Sequence, residues 1–161
     1  MARANEGWVA LRAMQEDDLD LFLAMELDPA VSQMAAFGPE LPNDRETYAK
    51  RLQHMRQHPA ILRTILLDDE PAGYVVKFEM LDAPHVGYTI RQALWGGGIA
   101  TRALALLLAE VEERPLYARA AKDNIGSRRV LEKCGFVLEG EAVNFARARG
   151  EDTPEVIMRL D

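Results

Sequence analysis

The sequence predicts one α/β domain built in layers, an α+β arrangement in which helices pack on a mixed sheet. The chain has 161 residues, a length that suits one compact domain with its own core. No repeat, low-complexity tract or linker divides it, so we predict a single domain over residues 1–161. Short β-like runs alternate with helical patterns along the chain, which favours a sheet covered by helices.

The composition narrows the class of protein. The formal net charge is -7, which argues against binding to a nucleic-acid backbone. The longest apolar stretch, residues 103–109, is too short to span a bilayer. The single cysteine, Cys134, excludes an internal disulfide and indicates a reducing compartment, and the N-terminus lacks the apolar run of a signal peptide. We therefore expect a cytoplasmic protein that binds neither nucleic acid nor membrane.

Seven runs of residues predict strands by their alternation and their β-branched content. They are Val9–Met14, Ile61–Leu67, Ala72–Met80, His85–Ile90, Leu116–Ala121, Phe136–Phe145 and Glu155–Leu160. The turn Asp68-Asp69-Glu70-Pro71 predicts an antiparallel hairpin between the second and third of them. A loop with Gly150 and Pro154 joins the last two.

Four segments predict helices. The first begins near Asp17 and ends at Asp28-Pro29, because the residue before a proline disfavours the helical region; residues 29–42 are then a loop. The second follows Asn43 and Glu46, whose spacing is typical of a capping box.

The other two helices flank the fifth predicted strand. The third, Gly98–Glu112, is apolar on almost every face, which predicts that it is enclosed between layers. The fourth, Asn124–Cys134, starts at a good N-cap residue and stops at Gly135.

The junction before the third helix reads Trp95-Gly96-Gly97-Gly98-Ile99-Ala100-Thr101. Helix N-termini bind phosphates, and glycines there remove the Cβ atoms that would block an anion. The two common nucleotide motifs do not fit: Gly98 is not followed by Lys-Ser/Thr, and Thr101 stands where a Rossmann turn has glycine. A simple turn remains the alternative.

A second cluster begins at Asn124. Ser127 shares a helical face with three apolar residues (Val130, Leu131 and Cys134), so it should face inward, bonded to the preceding turn or serving a cleft. Basic residues surround it, among them Arg128, Arg129 and Lys133. A locally basic stretch in an acidic protein suits a small polyanionic ligand, although a solvated face explains it equally well.

Together the two clusters resemble the GNAT family of N-acetyltransferases. The family's phosphate turn, Arg/Gln-x-x-Gly-x-Gly/Ala, matches from Trp95 to Ala100 with tryptophan in place of Arg or Gln, and Asn124-x-x-Ser127 leads to Gly135-Phe136. The motifs cover about residues 85–136, and the element order covers the whole chain. The pattern looks more like the RimJ/RimL branch, which acetylates protein N-termini and other amines. The resemblance implies a mostly antiparallel seven-stranded sheet with splayed central strands, flanked by four helices.

The resemblance also implies the reaction. A primary amine, at a peptide N-terminus or on a small molecule, attacks acetyl-CoA directly, with the pantetheine arm between the strands His85–Ile90 and Leu116–Ala121. The turn from Trp95 to Thr101 binds the cofactor, with backbone N–H groups of Gly97 to Thr101 on its pyrophosphate. Asn124 contacts the cofactor arm, and Arg128, Arg129 or Lys133 approaches the 3′-phosphate.

Catalytic residues follow less directly. Where many family members carry an acidic tyrosine this chain has Leu131, so the resemblance assigns the leaving thiolate to Ser127. For the base, Glu79 is the first candidate and His85 the second, although Glu79 fits a solvent-facing strand position equally well. A base acting through water would leave no trace in the sequence.

Several points stay open at this level. No metal is expected, because His54 and His58 stand at i, i+4 without a third ligand nearby. The alternatives to an enzyme are a non-catalytic acyl-CoA-binding sensor and an unrelated nucleotide-binding protein. A homodimer is neither required nor excluded.

Overall fold

The computed structural model describes residues 7–37, 44–57 and 59–161. The strands are β1 Val9–Ala13, β2 Ile61–Leu67, β3 Glu70–Met80, β4 Ala83–Ile90, β5 Leu116–Ala121, β6 Val137–Ala146 and β7 Glu151–Leu160. The helices are α1 Asp18–Leu27, α2 Pro29–Ala35, α3 Arg45–Met55, α4 Ile99–Glu110 and α5 Ile125–Lys133. One seven-stranded sheet has the order β1-β2-β3-β4-β5-β7-β6. Only the β4–β5 pair is parallel, which confirms the predicted mixed, mostly antiparallel sheet.

The described residues contain five helices where four were expected. The additional one, α2, lies inside the predicted loop 29–42. Pro29 occupies its first turn, where a proline lacks only an N–H that would be unbonded anyway. The Asp28 side chain caps it by accepting a hydrogen bond from the Ala30 N–H at 3.0 Å. Asp28-Pro29 therefore ends one helix and starts the next, whereas only the first role was predicted.

The start of α3 differs from the predicted capping box. The N-cap is Asp44, whose carboxylate accepts from the Thr47 backbone N–H at 2.7 Å. Asn43 lies outside the described residues. Glu46 instead forms an i, i+4 ion pair with Lys50, at 3.5 Å.

Turn geometry moves several strand ends from their predicted positions. Asp68 and Asp69 have φ of 49° and 68°, the left-handed values of a two-residue hairpin, so β3 begins at Glu70 rather than Ala72. β7 includes Pro154, which was placed in a loop. The last β5–β7 pair is Ala121 with Glu155, so Pro154 lies beyond the end of β5 and a missing N–H is tolerated there.

Two cores lie on opposite faces of the sheet. On one face α4 and α5 cover side chains such as Val75 and Val86; on the other α1 and α3 cover Tyr74 and Val76. Adjacent strand residues point to opposite faces, which accounts for this division. The prediction that the third helix is enclosed is wrong: α4 buries one face only, and Leu106 on its outer side is 41% exposed.

The centre of the sheet is split. β4 and β5 pair at a single position, His85 with Tyr117. Beyond it the two parallel strands separate toward their carboxyl ends, which confirms the predicted splay. The opening lies between the two helical layers and forms the candidate site.

Candidate functional site

A cleft of about 680 Å³ lies in this opening, within the usual size range of small-molecule sites. Its walls are the separated ends of β4 and β5, the first turns of α4 and α5, and α2. The α2 residues at its rim are Val31, Met34 and Ala35. The helix absent from the sequence-based prediction is therefore part of the site.

The glycine turn forms one end of the cleft. Gly96 and Gly98 have φ of 84° and 77°, which only glycine adopts without strain. A Cβ built on either would contact no atom within 4 Å, so each faces open space. The first hydrogen bond of α4 runs from the Arg102 N–H to the Gly98 carbonyl at 3.2 Å, which leaves the N–H groups of residues 99–101 without an acceptor in the helix. These groups, at the positive end of the helix dipole, can bind an anion.

Trp95 anchors the turn to the sheet. Its indole Nε1–H donates to the Ile90 carbonyl at 2.8 Å, across a single turn of 3-10 helix over Gln92–Leu94. This bond fixes the distance between the end of β4 and the glycines that follow. This hydrogen bond is a structural reason for tryptophan at this position, and it does not depend on any ligand.

The start of α5 forms the opposite wall. Asn124 caps the helix by accepting from the Ser127 backbone N–H at 3.1 Å, and its amide donates to the Met34 carbonyl at 3.3 Å. It therefore ties α2 to α5 across the cleft. Arg129 and Lys133 are among the residues that line the cleft, whereas Arg128 donates to the Lys122 carbonyl at 3.4 Å.

Ser127 meets a phenol that the sequence patterns did not point to. The Tyr88 hydroxyl lies 2.7 Å from Ser127 Oγ and 3.2 Å from the Ser127 carbonyl oxygen, and both side chains line the cleft. Burial raises the pKa of Tyr88 to about 12, so the phenol keeps its proton at neutral pH. The signal available was its position, two residues before the end of a strand already assigned to the cofactor gap.

The two candidate bases lie elsewhere. Glu79 is 42% exposed and forms an ion pair with the buried Lys77 at 2.8 Å. His85 stacks near Phe78 and Tyr117, with ring centroids at 5.8 and 5.6 Å, where the strands are still paired. Neither residue lines the cleft.

The state of the His85 ring is well defined. Nδ1 lies 3.0 Å from the Ala83 carbonyl oxygen, which puts the ring proton on Nδ1. Nε2 is buried and has no hydrogen-bond partner among the described residues. Burial lowers the pKa of His85, so the ring is neutral at pH 7.

The part of the chain that the structure describes lacks two further kinds of feature. It holds no group of three or more His, Cys, Asp and Glu side chains arranged to bind a metal. His54 lies in the last turn of α3, and His58 is outside the described residues. No helix in this part combines the length and apolar character needed to cross a membrane.

Solved structures of several proteins, acetyltransferases among them, have the same fold. RimJ of Mycobacterium smegmatis in complex with CoA-disulfide is 23% identical, with a TM-score of 0.78 over 98% of this chain and 84% of that chain. Ribosomal-protein-alanine N-acetyltransferase of Brucella melitensis is 22% identical, with a TM-score of 0.80 over 94% and 98%. Spermidine N-acetyltransferase of Vibrio cholerae, in complex with CoA and spermine, is 18% identical, with a TM-score of 0.80 over 94% of each chain. At these identities the likeness shows the fold alone.

The family follows from the sequence match. No curated protein is similar enough in sequence to match the chain. The sequence model of the acetyltransferase (GNAT) domain, however, matches residues 9–137, which include the glycine turn, Tyr88 and the whole of α5. This chain therefore belongs to the acetyltransferase (GNAT) domain family and is an N-acetyltransferase with acetyl-CoA as its co-substrate.

Proposed function

We propose that the protein transfers the acetyl group directly to a primary amine, at a peptide N-terminus or on a small molecule, as a cytoplasmic member of the RimJ/RimL branch. The observation that carries the proposal is the cleft between β4 and β5. Unbonded helix N–H groups lie at one end of it, and the paired hydroxyls of Tyr88 and Ser127 lie in its wall. The named activities of two structural neighbours, a spermidine N-acetyltransferase and a ribosomal-protein-alanine N-acetyltransferase, agree with it.

The residues at the cleft fit acetyl-CoA. The N–H groups of residues 99–101 bind its pyrophosphate, and the open side of Gly98 leaves room for it. Arg129 and Lys133, both at the cleft, bind the 3′-phosphate, and Asn124 contacts the arm. The unpaired edges of β4 and β5 offer backbone groups to the pantetheine amides, as they would to an added strand. When bound, acetyl-CoA supplies an activated thioester, which an amine can attack without a covalent enzyme intermediate.

Ser127 and Tyr88 act on the leaving sulfur. A serine hydroxyl is a weak acid by itself, but the Tyr88 phenol can donate to Ser127 Oγ while the Ser127 hydroxyl donates to the thiolate. The serine proton is then replaced as it is lost, and the Tyr88 oxygen takes a proton back from water in the cleft before the next turnover. Acid catalysis by a positioned group contributes about 10²- to 10⁴-fold in rate. Backbone N–H groups on the edge of β4 stabilise the tetrahedral oxyanion.

The experiment measures release of free thiol from acetyl-CoA with peptides that begin with alanine and with spermine. Ser127→Ala and Tyr88→Phe should each lower kcat by about tenfold or more, with the Kd for acetyl-CoA unchanged. Faster turnover on the peptides than on spermine supports the RimJ/RimL branch, and the reverse contradicts it. Binding of acetyl-CoA without turnover on any amine would contradict the proposal and identify an acyl-CoA sensor.

A further inference from the structure

Neither Glu79 nor His85 lines the cleft, so the proton of the amine needs another acceptor. The residues of β4 lead to one. Tyr88 and Thr89 are neighbours on this strand and therefore face opposite sides of the sheet. Thr89 lines the cleft. Its cross-strand partner is Tyr74 on β3, which packs on the face covered by α1 and α3. Directly paired residues share a face, so the Thr89 side chain lies beside the Tyr74 ring.

Tyr74 links Thr89 to a carboxylate. Its hydroxyl donates to Glu26 Oε1, in the last turn of α1, through a short hydrogen bond. Burial and the Glu26 charge raise the pKa of Tyr74, whereas a hydrogen bond from Thr89 opposes that rise. The Tyr74 hydroxyl gives its proton to Glu26, so its oxygen can accept a hydrogen bond from the Thr89 hydroxyl on the paired position of β4. Donors arranged in this way point from the cleft to the carboxylate.

Glu26 has the capacity to accept a proton. Its second oxygen, Oε2, is buried and makes no hydrogen bond of normal geometry with the described residues. None of the ion pairs formed within residues 7–37, 44–57 and 59–161 involves it. Two other carboxylates near the cleft are held by arginines: Asp123 by Arg149 at 2.8 Å and Glu155 by Arg119 at 2.9 Å.

Helix α3 brings a second phenol and a cation to the surroundings of Glu26. The Tyr48 hydroxyl is buried close to Glu26, and its pKa is raised by burial, by the Glu26 charge and by hydrogen bonding to Glu26. Arg51 lowers the pKa of the Tyr48 and Tyr74 phenols, and its buried Nη1 makes no hydrogen bond with the described residues. A positive charge close to the carboxylate compensates the negative charge that remains there between turnovers.

We propose that Thr89, Tyr74 and Glu26 form a proton path that takes a proton from the acceptor amine in the cleft. The proposal rests on the proposed acetyl transfer to an amine. The N–H bond of the ammonium breaks as its proton passes to Thr89 Oγ1, the Thr89 proton passes to the Tyr74 oxygen, and the Tyr74 proton passes to Glu26 Oε1. Each hydroxyl keeps one proton, the amine becomes neutral, and Glu26 becomes a carboxylic acid. Once the product has left, the proton returns from Glu26 through Tyr74 and Thr89 to water in the cleft.

Tyr74→Phe tests the path with the least change in packing, because the ring keeps its contact with Phe22 at 5.1 Å. With an alanyl peptide as acceptor, kcat/KM should fall about 100-fold at pH 7. The loss should shrink as the pH rises, since the peptide amine is then already neutral in solution. Glu26→Gln should show the same pH-dependent loss, Thr89→Val likewise, and Thr89→Ser should restore the rate. The Kd for acetyl-CoA should stay at the wild-type value.

Tyr117→Phe is the matched control. It removes a phenol on β5 that is outside the path and does not line the cleft, so kcat/KM should not change. An unchanged pH profile in Tyr74→Phe, or an equal loss at every pH, would overturn the path. If Tyr74→Phe does not fold, Glu26→Gln, at the partly exposed end, decides in the same way. A wild-type enzyme inactive on every amine would overturn the proposed function together with the path, whereas an active enzyme unaffected by these variants would overturn the path alone.

Discussion

Gly98→Ala tests the glycine turn at a position where the backbone conformation and the space for the ligand both require glycine. At φ of 77°, a residue with a Cβ costs about 1–2 kcal/mol. For a domain of this size, that cost corresponds to about 2–8 °C in Tm. The new Cβ contacts no protein atom within 4 Å, so no clash adds to the cost. The fold should therefore survive with a modest loss of stability.

The effect on the cofactor should be larger. The Cβ occupies the open space beside the unbonded N–H groups of residues 99–101. Loss of one hydrogen bond to a charged group costs about 1.5–3 kcal/mol, which is about 10- to 150-fold in Kd. Titration calorimetry with CoA measures this change, and thermal unfolding measures the stability.

Gly150→Ala provides the control. Gly150 has φ of 70° and also no atom within 4 Å of an added Cβ, but it lies in the β6–β7 turn away from the cleft. Both variants should lose a similar amount of Tm, and only Gly98→Ala should lose affinity. Wild-type affinity in Gly98→Ala, or equal losses of affinity in the two variants, would refute the assignment of the turn.

Three further predictions concern single side chains. Arg129→Ala and Lys133→Ala should weaken the binding of CoA about tenfold but leave the affinity for 3′-dephospho-CoA unchanged. Arg128→Ala should change the affinity for neither ligand. An equal loss of affinity for both ligands argues against a 3′-phosphate contact. Burial lowers the pKa of His85 in the folded chain. As the pH falls below about 6.5, this ring therefore takes up a proton in the unfolded chain before it does so in the folded chain. The free energy of unfolding should then fall more steeply in wild type than in His85→Leu, and parallel curves would contradict this. Because burial raises the pKa of Tyr88 to about 12, above about 10 in the unfolded chain, stability should be lost between about pH 10 and 12, by at most about 2.7 kcal/mol. Tyr88→Phe should lack that part of the loss in urea titrations, and an identical alkaline decline would show that burial does not perturb the phenol.

For strands whose alternating pattern is complete within a few residues, the ends were predicted correctly. Ile61–Leu67 and Leu116–Ala121 have the same ends in the structure. The errors lie where backbone geometry decides the boundary, as at Asp68-Asp69, since a left-handed pair of aspartates is not distinguishable by composition from a longer turn. Pro29 illustrates the same limit, because one residue can end a helix and begin another.

The site shows a sharper division. The glycine turn and Asn124-x-x-Ser127 are local patterns, and the structure places both at the cleft. Tyr88 and Ser127 are 39 positions apart, and Glu26 and Tyr74 are 48 apart. Neither pair has a spacing that a sequence pattern can express. Their contacts exist because α5 and α1 pack on opposite faces of the strands that carry the tyrosines.

The sequence by itself determined the set of strands, most of the helices and a helix start at which glycines leave out the Cβ atoms. These features could be predicted because periodicity, capping and glycine conformation act between residues close in the chain. What the tertiary structure decided is the exposure of one side of α4, the place of α2 at the cleft and the partners of each hydroxyl. Those depend on which layers pack against the sheet and where β4 leaves β5, and both are settled by contacts between segments far apart in the chain.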